Sequence, residues 1–409
     1  MKSFYYMAVG SELLEGVKQE SNLLTLARAI EDRDAEIVGA EIIPDNSEAI
    51  ETSLKRAVSS NVDYIVVSGG LGPTDDDITR ESVAHLLGTK LILDNTCWEE
   101  IVEKFKKRGL PVAERNKKQA MIPEGMKAVR NPAGTACGFY GEVNGKILIV
   151  LPGVPVEFKE MLFTLVESLL PLKRSENLLV LRLFGISESG LNELLEKTIL
   201  KIYPDLKLTF LPDYPEIELR IRFTTVEEDE LKEELRRVVG NYVYSWKGEI
   251  LPVVFGKELK WRGLFFAVAE SCTGGLVAKS ITDIPGSSEY FDRGFVTYSN
   301  QAKMDHLGVR EETLRKFGAV SEETAREMVL GVLEHSRADI AASITGIAGP
   351  TGGTPEKPVG TVYTAIADRE GRIEVVRNFF PGNREQVRKA TMTKVLFGVV
   401  KWLERFYPL

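Results

Sequence analysis

Two stretches of the chain concentrate residue types that can do chemistry. In the first, Ser68-Gly69-Gly70-Leu71-Gly72-Pro73-Thr74-Asp75-Asp76-Asp77-Ile78-Thr79 joins an apolar run to a helical pattern. Glycines let backbone N–H groups approach an anion, and a helix N-terminus adds partial positive charge. Carboxylates just before that helix suit a hard divalent cation bridging to phosphate oxygens. Leu151-Pro152-Gly153-Val154-Pro155 repeats the turn, and Gly10-Ser11-Glu12-Leu13-Leu14 is a third, with Glu12 a further carboxylate. The plain alternative is a glycine turn with an acidic helix cap. Six small or proline residues beside three aspartates exceed what capping needs.

In the second, Ala269-Glu270-Ser271-Cys272-Thr273-Gly274-Gly275 follows an apolar run and opens a helix. A serine needs a base to act as a nucleophile. The chain has three histidines, His85, His306 and His335, and none stands in a promising context. A lysine of lowered pKa can replace histidine, as in Ser-Lys enzymes. Arg293–Lys303 supplies Tyr298 and Lys303, and Ser343–Gly353 supplies a glycine loop able to hold an oxyanion. Arg384 and Arg388, four apart on one helix face, suit a phosphate. Simpler roles compete: Ser271 as a helix cap, Lys303 as a solvated side chain, Tyr298 as packing. Cys272 is a rival nucleophile, although an isolated cysteine more often serves as a small buried hydrophobe.

Elements must bring these residues together. At 409 residues the chain exceeds what one core holds, so two or three domains are expected. Up to residue 170, apolar runs alternate with helical patterns: Phe4–Val9, a helix after Ser21 with Leu24, Ala27 and Ile30 inward, Glu36–Ile43, and a helix capped by Ser47. Then come Tyr64–Val67, Ile78–Leu87, Ile147–Leu151 and a helix carrying Phe158, Met161 and Leu165. That alternation predicts a parallel sheet covered on both faces. Pro171–Glu176 reads as a linker. Leu178–Trp246 then follows the order β-α-β-β-α-β, with Glu216–Thr224 strictly alternating, which predicts a small split-βαβ domain. A third unit runs from about residue 255. Its strands are Leu264–Ala269, Ile340–Ile344, Val359–Ala367 and Arg372–Phe380, and its helices Ser321–His335 and Gln386–Phe406.

A net charge of −8 argues against nucleic acid as the main partner, because phosphate backbones select basic surfaces. The longest apolar runs fall far short of a membrane span, and no signal peptide is expected. Cys97, Cys137 and Cys272 are odd in number and widely spaced, so neither a disulfide framework nor a structural zinc site is expected. A cytoplasmic location fits this pattern.

The segments Gly10–Leu14, Gly69–Thr74 with Asp76-Asp77, and Leu151–Pro155 resemble the molybdopterin-binding fold. More closely they resemble the N-terminal domain of the CinA (competence/damage-inducible protein A) family. The resemblance implies an ADP-ribose pyrophosphatase that gives AMP and ribose 5-phosphate with a divalent metal (Mg, Mn or Co), often helped by potassium. On that basis Gly69, Gly70, Gly72 and Thr74, with Pro152 and Gly153, would cradle phosphate. Asp76, Asp77 and Glu12 would sit at the metal.

Ala269–Gly275, Phe295–Lys303, Thr345–Gly353 and Lys357–Thr361 resemble the C-terminal CinA domain, the PncC-type nicotinamide mononucleotide deamidases. This implies hydrolysis of the carboxamide to nicotinate mononucleotide and ammonia, with no cofactor. Ser271 would be the nucleophile, with Lys303 and Tyr298 as proton-handling partners. Thr273, Gly274, Gly275, Thr345, Gly346 and Gly349 would lie near the substrate. Lys357, Arg384 and Arg388 would be phosphate or loop contacts. The middle segment resembles the KH-like insert of full-length CinA proteins, yet Gly185–Gly190 lacks a GxxG loop with basic flanks, so a structural role is expected.

The expected fold class is therefore α/β in three domains. Residues 1–170 would form a parallel-sheet three-layer domain, 171–254 a small α+β KH-like split-βαβ domain, and 255–409 an α/β deamidase domain. The small-molecule partners would be nicotinamide mononucleotide and ADP-ribose, with no membrane and no nucleic acid, in a homodimer. Two other readings remain. One is a molybdopterin-processing protein. The other is a non-catalytic partner in DNA uptake or repair, which the acidic charge disfavours.

Overall fold

A computed structural model describes residues 1–31, 33–172 and 176–408. The chain divides into two compact units, Met1–Ser175 and Glu176–Leu409. The centre of the expected linker at 171–176, residues 173–175, lies outside the described residues.

The strands of the first unit are β1 (Lys2–Val9), β2 (Ala35–Ile43), β3 (Tyr64–Ser68), β4 (Leu91–Leu93), β5 (Met121–Pro123), β6 (Lys127–Val129), β7 (Gly138–Val143) and β8 (Lys146–Leu151). Six of them form a sheet in the order β2-β1-β3-β8-β7-β6, and β4 and β5 pair separately. The four strands β2, β1, β3 and β8 are parallel, as expected. The other side is not: β7 runs antiparallel to β8, and β6 antiparallel to β7. For β7 and β8 the cause is the Asn144-Gly145 turn, with positive φ at both residues, which reverses the chain at once.

Side chains alternate across this sheet and build two cores. Phe4, Tyr6, Ala8, Val66, Ile149 and Leu151 meet the helices Asn22–Ile30 and Pro155–Leu169. Met7, Val9, Ile65, Val67, Leu148 and Val150 meet Ser47–Ser59, Thr79–Leu87 and Asn95–Lys107. Each apolar side chain fully buried this way contributes about 1.5–3 kcal/mol. The three-layer arrangement follows. Two local expectations change. Ser21 makes no side-chain cap. The Glu20 carboxylate instead takes the Asn22 and Leu23 amides, the helix turns Leu26, Ala29 and Ile30 inward, and Leu24 is exposed. Asn46, one residue before Ser47, caps the next helix through Ala49 N–H at 3.1 Å.

In the second unit, β9 (Asn177–Phe184), β10 (Lys207–Asp213), β11 (Glu216–Phe223) and β12 (Val243–Ser245) form an antiparallel sheet in the order β10-β11-β9-β12. With helices Glu188–Lys197, Ile199–Ile202 and Glu228–Val239 this is the split-βαβ order. The first helical stretch of that order is broken at Thr198, whose hydroxyl donates to Leu194 O at 2.6 Å.

The remaining strands are β13 (Phe266–Glu270), β14 (Phe291–Val296), β15 (Ile340–Gly346), β16 (Thr361–Asp368) and β17 (Ile373–Phe379), in the order β14-β13-β15-β16-β17. The first three are parallel, and β16 and β17 antiparallel. Helices Leu251–Arg262, Leu276–Thr282 and Arg384–Phe406 cover one face. The other face is small, with Ala267, Ala269, Ala341, Ala365 and Ala367, so the helix Glu322–Glu334 packs close to the strands. Phe184 and Tyr244 of the four-stranded sheet join the core of this second sheet.

Candidate active sites

Ser271 directly follows β13, at the carboxyl end of a parallel strand, where α/β sheets place ligands. Its amide donates to Ile344 O at 3.1 Å, which fixes it between β13 and β15. Gly274 and Gly275, at φ +57° and +93°, then swing the chain into the helix Leu276–Thr282. The amides of Gly275, Val277 and Ala278 donate to the buried Glu270 carboxylate at 2.9, 3.1 and 2.8 Å. The positive end of that helix is thus satisfied within the protein. Sequence reasoning missed Glu270, although a carboxylate just before a helix is a capping signal.

Lys303, on the helix Asn300–Leu307, is 1% exposed, and its Nζ lies 3.2 Å from Ser271 Oγ. The same nitrogen donates to Thr297 O at 2.8 Å and to Tyr298 O at 3.4 Å. No carboxylate pairs with it among the described residues. Burial therefore pushes its pKa below the ordinary lysine value. A neutral Lys303 would donate to the two carbonyls and receive the Ser271 hydroxyl proton on its lone pair. Ser271 itself is 8% exposed. Among the described residues the Cys272 and Thr273 amides have no backbone carbonyl partner, which leaves them free for an oxyanion. Cys272 is buried, and its thiol is pushed up to about 12 by burial, so it is a poor nucleophile near neutral pH.

Other expected residues hold the surrounding loops. Tyr298 meets Lys303 only through its carbonyl. Its ring is 62% exposed, and its hydroxyl accepts from Arg384 Nη2 at 3.1 Å. Arg384 Nη1 donates to Gly349 O at 2.8 Å, and Arg388 Nη2 to Thr273 O at 2.7 Å. Each arginine therefore anchors one site loop. Thr345 ends in a bond to Ala319 O at 2.6 Å, and Lys357 bonds Phe317 O and Val320 O at 3.1 and 2.7 Å. Gly346 has no room for a side chain against Thr361 and Val362.

In the first unit, β1, β3 and β8 are adjacent and parallel, so the turns at Gly10, Gly69 and Pro152 open together. The chain leaves β1 for β2 on one side and for β3 and β8 on the other, which makes this a topological switch point. A cleft of about 580 Å³ lies there. Glu12, Gly69, Gly70, Gly72, Asp76, Asp77, Pro152 and Gly153 all line it. Gly69, at φ +113°, has no space for a Cβ against Val9 O. Thr74 is not among the lining residues. Its amide and hydroxyl hold Asp77 Oδ2, the amide at 2.9 Å. The lining also includes residues that sequence reasoning missed: Glu20, Asn22, Asp45 and Glu157. Asp45 accepts from Ser11 N–H at 2.7 Å. Beneath the cleft, the buried Arg80 donates to the carbonyls of Leu71, Gln119, Met121 and Cys137 at 2.9–3.1 Å.

Among the described residues, no group of three or more His, Cys, Asp or Glu side chains is arranged to hold a metal ion. Glu12, Asp76 and Asp77 share a cleft, not a preformed cage. Asp76 is exposed, and the nearby Thr74 side chain and its own backbone amide hold its carboxyl below the ordinary value. Glu12 pairs with Lys18 at 3.3 Å. That donor set fits a magnesium-like cation, which takes one or two carboxylates and completes its shell with water and phosphate oxygens.

Fold and sites together define a two-unit α/β protein, with an acidic switch-point cleft in one unit and a serine–lysine pair in the other. A family described as "Probable molybdopterin binding domain" matches residues 5–172, and one described as "CinA C-terminal domain" matches residues 249–403. A relative from Caldicellulosiruptor saccharolyticus, named among competence-damage inducible proteins, is 41% identical over 404 residues, covering 95% of this chain and 96% of its own. A CinA-like protein of Thermotoga neapolitana is 38% identical over 409 residues, covering 99% of both. The crystal structure of a competence/damage inducible protein from Agrobacterium tumefaciens is 46% identical, covers 37% of this chain and 92% of its own, and has a TM-score of 0.36. The chain belongs to the CinA family. No helix among the described residues is long and apolar enough to cross a membrane.

Proposed function

We propose that the chain is a bifunctional pyridine-nucleotide salvage hydrolase. The second unit deamidates nicotinamide mononucleotide, and the first splits ADP-ribose. The observation that carries the reading is the buried Lys303 Nζ, free of any carboxylate partner among the described residues, 3.2 Å from Ser271 Oγ.

Ser271 Oγ attacks the carboxamide carbon as Lys303 Nζ takes its proton. The resulting oxyanion lies near the free Cys272 and Thr273 amides. Lys303 returns the proton to the leaving nitrogen, ammonia departs, and an ester on Ser271 remains. Water then attacks that ester and gives a proton to Lys303, which passes it to the departing Ser271 Oγ, and nicotinate mononucleotide is released. The exposed Arg384 and its neighbour Arg388 suit the substrate phosphate, each keeping donors beyond those it gives to the loops. Tyr298, fixed by Arg384, lines the approach rather than taking the proton.

The first cleft is lined by Glu12, Glu20, Asp45, Asp76, Asp77 and Glu157 against a single lysine, Lys18. An anionic pyrophosphate enters such a lining only with its charge offset. Asp76 and Asp77, with Glu12, would hold a divalent cation, which when bound neutralises phosphate charge and polarises the P–O bond. The glycine-turn amides and the Pro152-Gly153 turn orient the two phosphates.

The test is direct. Incubation with nicotinamide mononucleotide should release ammonia and nicotinate mononucleotide without added metal. Incubation with ADP-ribose and Mg²⁺ should yield AMP, and chelation should stop the second reaction and spare the first. Absence of ammonia release from the intact chain would remove the deamidase reading, and metal-independent AMP formation would remove the cation reading.

A further inference from the structure

One polar side chain beneath the first cleft touches none of the three carboxylates assigned to a cation. Asn22 opens the helix Asn22–Ile30, is 4% exposed and lines the cleft. Its Nδ2 donates to Ser68 Oγ at 2.8 Å and to Gly153 O at 2.9 Å. Ser68 is the last residue of β3, directly before Gly69-Gly70, and Gly153 lies in the turn after β8. The two turns abut, since a Cβ on Gly153 would lie 3.3 Å from Gly69 Cα. Because Gly153 O is only an acceptor, the amide nitrogen must face it.

The backbone of the residue is held as well, through its own N–H. Glu20 takes the Asn22 amide and the Tyr6 hydroxyl, both at 2.7 Å. Asn22 Oδ1 is buried and has no partner among the described residues. An apolar side chain of similar volume would avoid that cost. Keeping the asparagine there makes sense if its donor pair is what the site needs.

We infer that Asn22 is the positioning residue of the anion cleft. By spending both side-chain amide hydrogens on the ends of two different strands, it sets the spacing between the Gly70–Gly72 amides and the Pro152-Gly153 turn. That spacing decides whether two linked phosphates can be gripped at once. The inference rests on reading the cleft as a nucleotide-pyrophosphate site.

The test uses the full chain carrying Asn22→Ala, Asn22→Leu or Ser68→Ala. Asn22→Leu keeps the branched side chain of four heavy atoms and removes the donors, and Ser68→Ala removes one acceptor. Two lost hydrogen bonds predict a KM for ADP-ribose raised about tenfold or more in both Asn22 variants, with kcat within about threefold. Ser68→Ala should raise it less. Ammonia release in the second unit, the internal control for folding, should be unchanged. Hydrogen exchange at amides 69–72, 153 and 154 should speed up in the Asn22 variants, and only there. That readout stands even if the wild type makes no AMP, in which case the pyrophosphatase reading falls and the positioning role is judged on exchange alone. Wild-type KM and exchange in Asn22→Leu would overturn the inference, as would exchange that rises equally across the whole first unit.

Discussion

Replacing Lys303 by methionine keeps the apolar stem and removes the amine. Three contacts go with it: Ser271 Oγ at 3.2 Å, Thr297 O at 2.8 Å and Tyr298 O at 3.4 Å. Loss of a general base typically lowers the rate by about 10²–10⁴, or roughly 2.7–5.4 kcal/mol of barrier. Ammonia release from nicotinamide mononucleotide should fall by that factor. In the wild type it should rise with pH as Lys303 loses its proton, at a pH below the ordinary lysine value because burial disfavours the ammonium. Stability carries a matching signature. Between the lowered folded-state pKa and the ordinary lysine value, the unfolded chain binds more protons, so wild-type stability rises with pH across that window. The penalty for burying the ammonium is complete below the window and fades through it. Lys303→Met never carries that penalty, so its stability relative to wild type should be greatest below the window and decline as pH rises. Stopped assays of ammonia and urea melts, each from about pH 6 to about pH 10, test both. A variant retaining activity within about threefold, or a wild-type rate flat with pH, would refute the reasoning.

Cys272→Ala should retain ammonia release within about threefold, because a buried thiol pushed up to about 12 is not the attacking group. Glu270→Gln removes a carboxylate that accepts three amides, so the urea midpoint should fall by the equivalent of about 1–3 kcal/mol. Arg80→Met strips four carbonyls, three of them at buried contacts, of their donor and should cost about 3 kcal/mol in a thermal or urea melt, with AMP formation lost before ammonia release on warming.

Much of the fold was legible because parallel strands buried on both faces write continuous apolar runs: Tyr64–Ser68 is buried at every position. The hairpin of β7 was missed because Gly138–Val143 has no such run. Its signal was the Asn144-Gly145 pair, a turn motif rather than a periodic one. At the second site, Ser271 and Lys303 stand 32 residues apart in sequence, and spacing left Lys303 open as a surface residue. Only the closing of β13 against β14 and of the helix Asn300–Leu307 beneath them buries its amine. Tyr298 shows the opposite failure, since its neighbourhood in sequence promised a proton partner and its side chain points to Arg384. At the first cleft the turn glycines were readable from composition. Asn22 was not, because its two partners lie 46 and 131 residues away.

The central claim is that Ser271, activated by Lys303, attacks a carboxamide. The most direct measurement is ammonia release from nicotinamide mononucleotide by the full-length Ser271→Ala variant, with AMP formation from ADP-ribose followed in the same preparation. The account predicts that ammonia release falls to background while AMP formation stays at the wild-type rate. Ammonia release that survives the substitution would contradict it.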